Sequence, residues 1–183
     1  MNQETIEKKM FRKLKQRLEE VEADAAVVVL LKATNQDIQV LLVKRAEIAT
    51  DPWSGQTALP GGKRSPKDRN MKETVVRETK EETGIDLLDG CHFLGIMEPM
   101  NLTNKPEMTV LPFVSLLDSN MDIRLNEELT EYFWLSLRNL NNKKGTAKFG
   151  RGEFPAYNLD GKTIWGLTYN IIQKLVTIFQ TQS

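Results

Sequence analysis

The chain has 183 residues, with 25 Lys plus Arg against 25 Asp plus Glu, so it carries no net charge to draw it to nucleic acid or to an anionic membrane. That length is most simply one domain, 1–183, large enough to fold on its own core. A single cysteine, Cys91, excludes an internal disulfide and a cysteine-only zinc site, and a single histidine, His92, excludes a His-rich metal site and the H-E-x-x-H protease pattern.

In chain order, Met10, Phe11, Leu14, Leu18 and Val21 recur at helical spacing among charges, which predicts an amphipathic N-terminal helix over residues 5–22. Its apolar stripe needs a cover, from its own domain or from a second subunit as a homodimer. Residues 26–31 are apolar and β-branched, Thr34-Asn35-Gln36-Asp37 reads as a turn, and residues 38–43 form a second strand, making a hairpin. Residues 46–63, with Pro52, Gly55, Pro60, Gly61 and Gly62, read as irregular. A helix follows over residues 70–83, with Asn70 or Asp68 as its cap and Gly84 at the left-handed C-terminal position. Strands return at residues 93–97, 108–117 and 132–135. A basic loop covers residues 141–151, and an apolar helix closes the chain over residues 165–179. Strands on both sides of a central helix, with helices at either end, predict a mixed α/β sandwich rather than an alternating parallel fold.

No apolar run reaches the roughly 18 residues of a membrane span. The start, MNQETIEKKMFRKLKQRLEE, is too charged for a signal peptide, and with the lone thiol this points to the cytoplasm. Asn101-Leu102-Thr103 matches a glycosylation pattern and is read as chance.

The chemistry concentrates in residues 61–85, GGKRSPKDRNMKETVVRETKEETGI. On a helix, Glu78, Glu81 and Glu82 fall within an arc of about 100°. Their repulsion weakens the helix by a few tenths of a kcal/mol per pair, and Arg77 offsets one charge at most. Val76, Thr79 and Thr83 form a neighbouring stripe able to pack inward. An acidic face of this kind suits a hard cation, because magnesium and manganese take oxygen ligands, waters and substrate phosphates. Upstream, Gly61 and Gly62 allow backbone to come close to a ligand. A solvated Glu/Lys face is the plainer reading of the helix alone; the glycine pair and the preceding strands weigh against it. Gly61-Gly62-Lys63-Arg64-Ser65 lacks the first glycine and the G-K-[ST] of a phosphate-binding loop and is rejected as one.

This segment resembles the Nudix box, G-x5-E-x7-R-E-U-x-E-E-x-G-U, with U an apolar residue. Gly62, Arg77, Glu78, Glu81, Glu82, Gly84 and Ile85 match. Asp68 takes the place of the middle Glu, one residue further from Arg77, and Thr79 stands at the first U. Leu41-Leu42-Val43-Lys44-Arg45, Gly55, Leu59-Pro60-Gly61-Gly62, Asp68, Thr74 and Arg77-Glu78 are similar to the coenzyme A diphosphatase subgroup, which has that longer spacing and the Asp. Phe154-Pro155-Ala156-Tyr157 and Trp165-Gly166-Leu167-Thr168 look like the tail of the same subgroup. Ser65 replaces one of its Asp residues, and Asp51-Pro52-Trp53-Ser54-Gly55-Gln56 replaces its loop with Arg and His.

The resemblance implies a Nudix α/β/α sandwich with a mixed sheet and an added N-terminal helix. It implies a magnesium- or manganese-dependent hydrolase of a small-molecule nucleoside diphosphate derivative. Glu78, Glu81 and Glu82 are then the metal and catalytic set, joined by a carboxylate such as Glu128 or Glu131, with Arg77 orienting the glutamates. Arg45, Trp53, Gly61 and Gly62 are the substrate-binding candidates. Coenzyme A-type substrates rank first, ADP-ribose or another nucleoside diphosphate derivative second, and nucleoside triphosphates third. A non-catalytic nucleotide sensor has no use for the intact glutamates, and an isoprenoid diphosphate isomerase needs a pocket cysteine. Trp53 also reads as a loop anchor, Arg45 as a surface ion pair, and Lys143, Lys144, Lys148 and Arg151 as a solvated loop. Trp134 and Trp165 read as core, and Cys91 and His92 as structural.

Overall fold

The computed structural model describes every residue except 1–3, 5, 8, 9, 11, 17–20, 36, 48–53, 103, 104, 119, 120, 139, 151 and 181–183, and of Gln180 the backbone. Strands β1 (Ala25–Ala33) and β2 (Ile38–Arg45) form the expected hairpin, but they pair only at its closed end, Leu31↔Val40 to Ala33↔Ile38. Beyond that the strands part. Two short strands, β3 (Thr57–Ala58) and β4 (Gly61–Lys63), enter the gap, β3 pairing with β2 and β4 with β1. Residues 46–63 are therefore not irregular throughout; their glycines and prolines hide two strands too short to show alternation.

Strands β5 (Cys91–Ile96), β6 (Met100–Leu102), β7 (Lys105–Leu117) and β8 (Leu129–Ser136) complete the eight-stranded sheet. Its backbone path is β3-β2-β1-β7-β5, with β1 and β7 parallel from Ala25↔Val110 to Leu31↔Leu116 and the other pairs antiparallel. The sheet is mixed, as predicted. Helix α1 (Met71–Thr83) begins at Asn70, whose side chain accepts from the Glu73 N–H, and stops at Gly84 with φ 73°. Helix α2 (Gly166–Gln180) ends the described chain.

The two helices lie on opposite faces of the sheet. Val28 and Leu30 of β1 point into one core with Met71, Val75, Ile85 and Leu87; Val29 and Leu31 point into the other with Ile171, Ile172, Leu175 and Val176. A central strand covered on both faces reads as a continuous apolar run because its alternate side chains are both buried. Each such Val, Leu or Ile contributes about 1.5–3 kcal/mol of burial.

Two expectations are corrected. The N-terminal helix does not reach residue 22. Residues 4, 6, 7 and 10 are helical, but the chain turns at Arg12 and Lys13, and Lys15 bridges antiparallel to Ile96 through two backbone hydrogen bonds of 3.0 and 2.9 Å. Satisfying the open edge of β5 outweighs one more helical turn. Ile6, Met10 and Leu14 are buried in the domain's own core, whereas Phe11 and Leu18 lie outside the described residues. Residues 141–151 are not a loop. A short 3₁₀ turn (Leu140–Lys143) leads into β9 (Lys144–Phe149), which with β10 (Gly152–Leu159) and β11 (Lys162–Trp165) makes a separate antiparallel sheet, β11-β10-β9.

Candidate functional site

Where β1 and β2 separate, a cavity of about 670 Å³ opens between β2, β4, helix α1, strands β6 and β7, the small sheet and the start of α2. One end is charged. Glu78 and Glu82 of α1 and Glu128, just before β8, line it together with Arg45, Gly61, Gly62 and Lys63.

Helix α1 brings its glutamates here because its own beginning is anchored. Asp68 is buried and accepts from Ser65 N–H (2.8 Å), the Thr74 hydroxyl (2.9 Å) and Arg77 Nε and Nη2 (3.0 and 2.9 Å). The Arg77 guanidinium holds the Asp68 carboxyl well below the usual carboxylate range. The rest of the guanidinium reaches Glu78 (2.9 Å), Glu81 (3.1 Å) and the Lys63 carbonyl (3.2 Å). Arg77 thus serves three carboxylates rather than one, because its five donors fan outward from a fixed plane. Asp68, which departs from the box pattern, is what fixes that plane.

Glu82 is 5% exposed, and its Oε2 accepts from Gly61 N–H at 2.9 Å. Burial pushes its carboxyl up to about 7, with Glu78 and Glu128 adding repulsion and the Gly61 hydrogen bond and Arg45 opposing. Glu78 is also raised, again chiefly by burial. The glycines are matched to this crowding. Gly61 has φ 139°, and a Cβ there would sit 2.2 Å from the Ala26 carbonyl oxygen; a Cβ on Gly62 would sit 2.4 Å from Glu78 Oε2. The strand can therefore lie against the acidic face only without side chains.

The other site candidates fall into two groups. Arg45, at the end of β2, faces the cavity, and Glu128 is held beside it by a hydrogen bond from Ala46 N–H to its carbonyl (2.8 Å). Glu81 does not line the cavity; its side chain is 57% exposed and leans on Arg77. Glu131 turns instead to Lys162 (2.8 Å), tying β8 to the small sheet. Trp53 lies outside the described residues, although Gln56 of the same loop faces the cavity. Cys91 and His92 are on β5, away from the cavity, with the Cys91 thiol pushed up to about 11 by burial. His92 spans Glu7 (2.9 Å) and Asp118 (2.7 Å).

The aromatic part of the lining was not legible as a site. Phe149, Phe154 and Trp165 of the small sheet face the cavity, so Trp165 is a wall of the cavity rather than plain core. The available signal was the glycine-centred turn in Lys148-Phe149-Gly150-Arg151-Gly152, where Gly150 has φ 56°. It marks a hairpin tip and not a solvated loop.

Among the described residues, no three Asp, Glu, His or Cys side chains are already gathered as a cation cage. The donor set nevertheless fits a hard divalent ion. Glu78, Glu82 and Glu128 are oxygen donors around one cavity, with Glu82 buried and Glu78 partly buried at a cost that a cation would relieve.

Comparison with known proteins identifies the family and the fold. The NUDIX domain family matches residues 22–156. The chain is 39% identical over 107 residues to an uncharacterized protein of Schizosaccharomyces pombe, covering 55% of this chain and 32% of that protein, so it spans about a third of that relative's length. It is 32% identical over 154 residues to the human mitochondrial coenzyme A diphosphatase NUDT8, covering 80% of this chain and 65% of that one. Among solved structures, the Nudix hydrolase RenU of M. smegmatis superimposes with a TM-score of 0.59 over 88% of each chain at 16% identity, a likeness of fold.

Proposed function

The chain belongs to the Nudix family; from that premise we propose that it is a hydrolase that cleaves the diphosphate bridge of a nucleoside diphosphate derivative with the help of a divalent cation. Coenzyme A or a related adenosine diphosphate conjugate ranks first, ADP-ribose second and nucleoside triphosphates third. The observation that carries the reading is the convergence of Glu78, Glu82 and Glu128 with Arg45 on one cavity. The order of substrates rests on the subgroup motifs and on the diphosphatase named among the relatives. The single cysteine suits a reducing compartment such as the cytoplasm, and no helix among the described residues is long and apolar enough to cross a membrane.

In the proposed reaction, water adds its oxygen to one phosphorus, the bond from that phosphorus to the bridging oxygen breaks, and the bridge leaves with the second phosphate. Two phosphorylated halves result. Glu78 and Glu82, with Glu128, would hold magnesium or manganese, which supplies charge neutralisation of the diphosphate and acidifies bound water. Arg77 keeps Glu78 and Glu81 oriented, Gly61 N–H fixes the Glu82 carboxylate, and Arg45 binds a phosphate oxygen. Glu128, or a box glutamate free of cation, takes the water's proton. Glu81 joins only by leaving Arg77. The isomerase alternative finds no support, since Cys91 is half-buried on β5 with a poorly ionised thiol.

The test is hydrolysis of coenzyme A, ADP-ribose and dGTP with magnesium or with manganese, in wild type and Glu82→Gln. We expect a fall of about a hundredfold or more in the variant, equivalent to roughly 2.7 kcal/mol of transition-state stabilisation. Full activity in Glu82→Gln, or in excess chelator, would overturn the cation role. A tenfold lead for dGTP would overturn the substrate order.

A further inference from the structure

Glu78 and Glu82 ride on α1, but Glu128 comes from a turn far along the chain and is itself exposed, so its own burial does not hold it in place. Its position is set by backbone hydrogen bonds that begin at the end of the helix. The last carbonyls of an α-helix have no partner within it. In α1 the Lys80 carbonyl accepts from Gly84 N–H at 2.9 Å, while the Glu82 and Thr83 carbonyls are taken by a distant segment. Asn126 N–H donates to the Glu82 carbonyl (3.1 Å), and Arg124 N–H donates to the Thr83 carbonyl (2.8 Å). Asn126 is thus bonded through its backbone to a residue whose carboxylate lines the cavity. Its side chain reaches forward: Oδ1 accepts from Glu128 N–H at 3.0 Å, and its carbonyl accepts from Leu129 N–H at 3.3 Å. On the other side, the Glu128 carbonyl accepts from Ala46 N–H at 2.8 Å, next to Arg45. Directly afterwards Lys44 pairs with Glu131 and Arg45 with Leu129, which leaves Thr130 outside the register as a bulge. A bulge re-aims the side chains beside it.

Glu128 is therefore pinned on both sides, by its N–H to the helix that carries Glu82 and by its carbonyl to the strand that carries Arg45. Like charges do not gather unaided. Glu128 repels both Glu78 and Glu82, and an exposed acid without such fastenings would swing away from them. Closing a local turn needs only the Asn126 Oδ1 and carbonyl; the bond from Asn126 N–H to Glu82 ties that turn to the helix. We propose that Asn126 is a positioning residue of the carboxylate site, holding Glu128 against Glu82 at the separation a divalent cation requires. The assignment rests on the reading of Glu128 as a member of the cation site. It acts through Glu128, and Asn126 itself touches neither cation nor substrate.

The experiment is calorimetric titration of the metal-free protein with manganese, in wild type, Asn126→Ala, Asn126→Ser, Glu128→Gln and the double variant Asn126→Ala/Glu128→Gln. Thermal melts of each metal-free protein run alongside. Asn126→Ala should weaken manganese about two- to tenfold, the range for one net hydrogen bond. Asn126→Ser should recover part of the loss, because its hydroxyl can accept the same N–H. In the Glu128→Gln background Asn126→Ala should cost nothing further, because the residue it acts through is already gone. With coenzyme A or ADP-ribose as substrate, Asn126→Ala should lower kcat and leave KM nearly unchanged. If Asn126→Ala fails to fold, Asn126→Gln, which carries the acceptor past the Glu128 N–H, gives the same readout. Additive losses in the double variant would overturn the proposal. So would a lowered melting temperature with manganese affinity unchanged, which would make Asn126 a turn former only, or a Glu128→Gln protein that binds manganese like wild type. Coupled losses of manganese affinity in a protein that turns over no diphosphate would sink the hydrolase reading and keep the role of Asn126. Turnover of diphosphates with additive losses would do the reverse.

Discussion

Glu82 carries two opposing demands. Burial raises its carboxyl to about 7 from an ordinary 4.5, so between those values the folded protein holds a proton that the unfolded chain has released. Stability from this group is therefore full below about 4.5 and is lost as pH rises towards 7. Metal-free wild type should melt at higher temperature near pH 5.5 than near pH 7.5, and Glu82→Gln should flatten that slope while raising the melting point at the upper pH. A steeper slope in the variant would contradict this assignment. Thr79 poses a simpler problem. Its side chain is wholly buried, and its hydroxyl has no hydrogen-bond partner. The box pattern has an apolar residue at this position. Thr79→Val keeps the shape and removes the stranded group, so it should be neutral or stabilising by up to about 1–3 kcal/mol in denaturant melts, with activity retained.

At the scale of elements, α1 depends on the Asp68–Arg77 fork. Asp68 is below its ordinary value, so its contribution is present above the unfolded pKa and is lost only as the pH falls through the depressed folded value. Asp68→Asn keeps the size but leaves the guanidinium short of a charge partner. With Arg77 about a third exposed, the cost should be about 1–3 kcal/mol, less than for a fully buried pair. Glu78 and Glu81 lose their fixed partner at the same time, so kcat should fall even at saturating metal. An unchanged kcat would mean that the fork only stabilises the helix. The N-terminal segment is a second dependent element. Met10 is fully buried against the domain's own core, and Met10→Ala should cost about 2–5 kcal/mol. A melting temperature unchanged by that variant would show the segment to be an idle tail.

For the whole molecule, the site exists because two structures meet across the splayed hairpin: the sheet with α1 supplies carboxylates, and the small sheet with α2 supplies the aromatic wall. A cation bound to the folded form alone should stabilise it by mass action, by about 2.7 kcal/mol at a hundred times its dissociation constant. Thermal melts with and without manganese should show that rise in wild type and lose most of it in Glu82→Gln. Much of this was readable from local order. Residues 70–84 announce α1 through Asn70, the Val76–Thr79–Thr83 stripe and Gly84, although Val75 rather than Val76 is the fully buried residue. The β1 and β2 runs announce a strand pair, and Glu78, Glu81 and Glu82 announce the acidic face by spacing alone, although the fold turns Glu81 away from the cavity. These features depend on residues within a turn or two of one another, and the chain encodes such distances directly. What the fold alone decided lies between residues far apart in sequence. Lys15 ends the N-terminal helix by pairing with Ile96. Glu128 rather than Glu131 faces Glu82, because Glu131 turns to Lys162. Trp165 becomes a cavity wall because Phe149 folds back onto it. In each case a residue had two competing partners of similar chemistry, and only the packing of distant strands put one of them within reach.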